Sequence, residues 1–138
     1  MDAKEILDPQ KLMITVGVLT VILSIMGIIN GEQWAEYGWG EENVLAHDAD
    51  YEKMWALHIM PLGVMAIGTG VFVSGKALAK MSMLAPSVVV IIFVGMGILT
   101  GDSEYSSETP PFSAIALPLL TIVLTFTLGI AGYLHKDD

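Results

Sequence analysis

A chain of 138 residues that is 54% apolar and 15% charged is one domain's worth of material, with far less charge than the ~25% usual in a soluble domain. Its six basic residues, all lysine, face 15 acidic ones for a net charge of −9, which leaves no basic patch to neutralise phosphates and excludes nucleic-acid binding. Cysteine is absent, and with it go disulfide frameworks, thiol redox chemistry and thiolate metal sites.

Four apolar runs follow in order, at about residues 12–30, 54–75, 81–100 and 111–134. Each meets the ~17 to 25 residues needed to cross a bilayer as a helix. Lipid offers no partner to an unpaired backbone group, and the runs lack the alternation of barrel strands, so helices are expected. Asp8-Pro9 reads as N-cap and first-turn proline for the first run, and Thr109-Pro110 as the same for the fourth. The leader before the first run carries Asp2, Glu5 and Asp8 against Lys4 and Lys11. A cleaved signal peptide wants a positive leader and a small-residue cleavage site, so the first run reads as a permanent span.

The lysines set an orientation. Lys4, Lys11, Lys76, Lys80 and Lys136 fall on the side of the two chain ends, and only Lys53 falls on the other. The positive-inside rule then places both termini in the cytoplasm. The opposite side collects acids, most of them in an outer loop over residues 31–53, together with Trp34, Trp39 and Trp55 as an interfacial belt. The fold expected is all-α: an integral four-helix bundle, multi-pass in the cell membrane, with the lipid bilayer as its first partner. The outer loop, with its four rings, is expected to fold as a lid.

Small residues mark the packing faces. Gly17, Thr20, Ser24 and Gly27 share one side of the first span, Gly63, Ala66 and Gly70 one side of the second, and Thr121, Thr125 and Gly132 one side of the fourth. In lipid such seams matter because they let backbones approach closely. Gly95 and Gly97 do not share a face, which puts the third span at the periphery or against a partner subunit.

His58 is the one ionisable residue set among apolar neighbours. With His47, Asp50 and Met54 it forms the candidate metal set. Imidazole with thioether suits copper, and imidazole with carboxylate suits zinc or Cu(II). The competing reading has His58 bonding nearby backbone and the methionines filling gaps. Residues 48–59 begin like a calcium loop, but Lys53 and Ile59 stand where glycine and glutamate are required. No span carries the buried carboxylate or base of a proton-coupled transporter. A haem held by two facing histidines has only His58 inside, and no catalytic set or phosphate loop is present. Pro61, Pro86 and Pro118 fall within the runs and read as kinks or first-turn residues.

In layout the chain resembles the small four-span membrane proteins that include the DoxX-like group. The resemblance covers no diagnostic motif, so it implies a fold and no activity. The leading expectation is a non-catalytic accessory or structural subunit that joins other integral subunits or copies of itself. A copper- or zinc-handling or metal-dependent redox component built on His58 is the alternative, and a small-solute channel the next.

Overall fold

The computed structural model describes residues 2–105 and 108–138. Six helices run in order: α1 (Ala3–Ile6), α2 (Pro9–Ile29), α3 (Gly31–Trp39), α4 (Asp48–Phe72), α5 (Gly75–Thr100) and α6 (Phe112–Leu134). Among the described residues there is no strand, and α2, α4, α5 and α6 are long and apolar enough to cross a membrane.

Each start and stop has a local cause. The Asp8 carboxylate accepts from the N–H groups of Gln10 (2.9 Å) and Lys11 (3.3 Å), and Pro9 supplies the fixed φ of a first turn. At the other end of α2, the Asn30 side chain donates to the Met26 carbonyl at 2.9 Å. The fourth span does not begin at Thr109-Pro110. Pro111 follows directly, and a residue before proline is driven out of the helical region. Pro111 is therefore the last extended residue (φ −64°, ψ 152°), and α6 starts at Phe112.

Two more boundaries depart from the reading of the sequence. The stretch expected as outer loop, 31–53, is helical at both ends. In α3 the buried positions are Gly31, Ala35 and Gly38, with Glu32, Gln33 and Glu36 exposed. This is an amphipathic helix whose buried face is made of small residues, so it carries little hydropathy signal. Helix α4 begins at Asp48, because carboxylates in a first turn oppose the positive end of the helix dipole rather than exclude a helix. Only Val73 and Ser74 separate α4 from α5, so Lys76 and Lys80 occupy the first turns of α5 rather than a loop. Gly75 takes φ +58°, a left-handed value a side chain would strain, and this completes the reversal.

Pro61, Pro86 and Pro118 all lie inside continuous helices. Each lacks the N–H that would meet the carbonyl four residues earlier, on Leu57, Ser82 and Ala114.

The helices do not close into a ring. Helix α2 stands between α4 and α6, and α5 lies outside against α6; α4 and α5 barely touch beyond their shared turn. The aliphatic core is Met13 and Val16 of α2, Leu78 of α5 and Leu128 of α6, with Ala66 and Val73 against it. All of these lie toward the end that carries the termini.

Backbone approach at the seams is close enough to demand glycine. A Cβ on Gly17 would meet the Gly63 carbonyl oxygen at 2.7 Å, and one on Gly63 would meet that of Gly17 at 2.8 Å. Gly27 faces Ala56, and Gly70 faces Ile14. On the α5–α6 side, a Cβ on Gly132 would sit 2.5 Å from the Ala79 carbonyl oxygen. Ser24, Thr121 and Thr125 are buried, but their hydroxyls donate to their own helices, to the carbonyls of Thr20 (2.9 Å), Leu117 (2.9 Å) and Thr121 (2.7 Å). They serve the seams as small shapes, with their polarity satisfied locally.

Candidate functional site

The end of the molecule away from the termini holds most of the polar chemistry. The N-terminal turns of α4 place His47, Asp48, Asp50, Glu52, Met54 and His58 in succession. The Asp48 side chain is buried, and one of its oxygens accepts from the Leu45 N–H at 2.8 Å. Its other oxygen lies 3.6 Å from Nε2 of His47, whose exposed ring meets Tyr51 edge-on at 5.4 Å between centroids. Asp48 thus anchors the chain as it enters α4.

The four candidate metal ligands are spread along this helix. His58 is exposed, and its Nδ1 lies 2.6 Å from the backbone carbonyl oxygen of Met54. The contact with Met54 is to its main chain, not to its sulfur. Asp50 and the Met54 side chain are exposed. His47 and His58 are separated by about 16 Å of helical rise and Asp50 and His58 by about 12 Å, at 1.5 Å per residue. Ligands of one copper or zinc ion each sit ~2 Å from the metal, so the turns of α4 hold these groups apart. Among the described residues, no group of three His, Asp or Glu side chains is arranged to hold a metal ion.

What the structure does bring together is a clasp around Tyr105, in the connection between α5 and α6. Its hydroxyl donates to Oε1 of Glu52 at 2.7 Å. Its ring meets Trp39 edge-on at 5.2 Å and lies directly on Gly38, where a Cβ would come within 2.6 Å of the ring. One residue thereby ties three segments: α3, the first turns of α4, and the stretch that follows α5. Burial, reinforced by the hydrogen bond to Glu52, pushes the Tyr105 phenol above its ordinary range. It is a neutral donor at any ordinary pH.

Beside the clasp, Trp34 and Tyr37 pair edge-on at 5.6 Å, and the Lys53 side chain lies over Gly31. Helix α3 is in this way folded back onto α4. The arrangement holds and orients segments; it presents no nucleophile paired with a base. Tyr105 escapes a reading of the sequence because a ring in a short polar connection has no periodicity. The signal available is that it is the sole aromatic between Thr100 and Phe112.

Compared with protein-family models, with curated proteins and with solved structures, the chain matches none.

Proposed function

We propose that this chain is a non-catalytic, multi-pass subunit of the cell membrane that assembles through its helices with other integral subunits or with copies of itself. The observation that carries the reading is the outer half of α5. Ile91, Val94, Ile98 and Leu99 are exposed there, and Gly95 and Gly97 have open space where a side chain would stand. None of the apolar window of α5 is buried, whereas the windows of α2, α4 and α6 each have a buried share. Contiguous apolar surface on this scale is stable in lipid or beneath another protein, not in water. A helix with glycines to spare accepts a neighbouring backbone closely.

In this reading both termini are cytoplasmic, on the strength of five lysines against one. The acidic end with α3 and Tyr105 faces outward.

Native mass spectrometry after extraction in a mild detergent tests the assembly. An oligomer or a defined complex is expected, and Gly95→Leu should disperse it. A lone monomer in every mild detergent would end the proposal. Accessibility tags on the two termini should report one and the same side of the membrane.

A further inference from the structure

Nothing in the clasp around Tyr105 concerns the other end of the molecule, where the two chain termini meet. There the His135 ring, at the C-terminal end of α6, is inserted between the two terminal segments. Its Nε2 lies 3.1 Å from the carbonyl oxygen of Lys4 and 3.0 Å from that of Leu7. Its Nδ1 lies 2.7 Å from Oδ2 of Asp138. The other oxygen of the same carboxylate accepts from the Lys4 ammonium.

A carbonyl oxygen only accepts, so Nε2 must carry a hydrogen. An ionised carboxylate also only accepts, so Nδ1 must carry one too. A neutral imidazole has a single N–H, and this ring therefore makes both contacts only as the imidazolium. The Asp138 carboxyl is held below its ordinary range by the hydrogen bond from Lys4 first and by that from His135 next, so it is ionised when the ring titrates.

The surroundings have the right sign. The ring borders a cleft of about 450 Å³ whose charged lining is Lys4, Glu5 and Asp8 from the N-terminal segment and Asp138 from the C-terminal one. From the α4–α5 turn the cleft receives only Ser74, Gly75 and Leu78, which are uncharged. Lys11 leans toward Asp8 at 3.7 Å, and Lys136 lies 3.8 Å over the Tyr133 ring. Three carboxylates against one lysine on the lining favour a cation at His135.

We infer that His135 is a proton-operated latch that fastens the N-terminal segment, α1 and the link to Asp8, to the C-terminal end of α6 when protonated and releases it when neutral. On deprotonation the bare nitrogen confronts either the carboxylate or the two carbonyls, and one side of the latch is lost. The segment it frees has no other deep anchor, because α1 is a single turn with no buried residue. Histidine is the side chain whose charge changes across the physiological pH range, so the latch responds to pH changes that a cell undergoes.

The absence of cysteine makes a direct test simple. Spin labels at Ala3→Cys and Asp137→Cys, both exposed positions, report the separation of the two segments in the full chain reconstituted in nanodiscs. At about pH 5.5 one short, narrow distance is expected, and at about pH 8.5 the long-distance population should grow several-fold. His135→Gln should show the long population at both values, with no response to pH. In Asp138→Asn the amide can donate to the bare nitrogen, so the response should again disappear. Identical distributions at the two pH values in the parent protein would overturn the latch. So would a pH response that survives in His135→Gln, or one undiminished in Asp138→Asn.

Discussion

Gly17 of α2 and Gly63 of α4 face one another so closely that each backbone occupies the space a side chain on the other would need. This reciprocal contact lets α2 and α4 pack along most of their length. Gly63→Ala should therefore destabilise the protein by ~1 to 3 kcal/mol, the usual penalty for overpacking. The substitution relieves helical strain by ~1 kcal/mol, so a loss would be a net effect of the clash. Gly97→Ala, with nothing within 4 Å, should leave stability unchanged or raised. Thermal unfolding of the two variants in one detergent distinguishes them.

The clasp at the other end has its own signature. Tyr105→Phe keeps the ring on Gly38 and Trp39 but deletes the donor to Glu52, which should cost about 1.5 kcal/mol for a hydrogen bond to a charged group. The phenol's pKa is raised in the folded protein from its ordinary value near 10. Folding then holds a proton that the unfolded chain releases, so this contribution is complete below about pH 10 and is lost as pH rises above it. Stability of the parent should fall from pH ~10 upward more steeply than that of Tyr105→Phe. Parallel slopes in denaturant titrations across that range would contradict it.

Ser82 is an opposite case. It is completely buried where Gly132 meets α5, and its hydroxyl has no hydrogen-bond partner. Removing an unpaired buried polar group relieves a penalty instead of breaking a bond. Ser82→Ala should be neutral or stabilising by ~1 kcal/mol, and a clear loss of stability would show that the hydroxyl has a partner.

A metal role for His58 is separable from all of this. Its ring already has a backbone partner, and its proposed co-ligands lie on other turns of α4. Protein purified without chelator should carry no stoichiometric copper or zinc, and His58→Ala should alter neither metal content nor stability by more than ~0.5 kcal/mol. Elemental analysis of both proteins decides the matter.

How far the sequence discloses this molecule depends on the range of each interaction. The long apolar helices are legible because their signal extends over some twenty residues, and Asp8-Pro9 because a cap and its helix are adjacent. The early start of α4 is hidden because Asp48, Asp50 and Glu52 count against a span while favouring a helix start. Spacing puts Gly17 and Gly27 on one face, but a face does not name the helix opposite, and only coordinates pair Gly17 with Gly63 and Gly132 with Ala79. His58 draws notice by standing among apolar residues, yet its partner is the ordinary carbonyl one turn back. Tyr105 reaches Glu52 across 53 positions, and His135 reaches Leu7 across 128. Neither ring lies in a pattern that foretells its destination.

The tight join at Val73 and Ser74 has a consequence for bilayer thickness. Helices α4 and α5 leave that point with 25 and 26 residues, or roughly 37 and 39 Å of rise, against a hydrocarbon layer of about 30 Å. Their shared turn starts both at one depth, so the surplus of each accumulates at the opposite leaflet. The carboxylates of Asp48, Asp50 and Glu52 ride on that surplus into the headgroups. A thicker membrane absorbs the extra turns from beneath, drawing Glu52 toward the oil, and the strain of mismatched thickness then falls first on its bond with Tyr105.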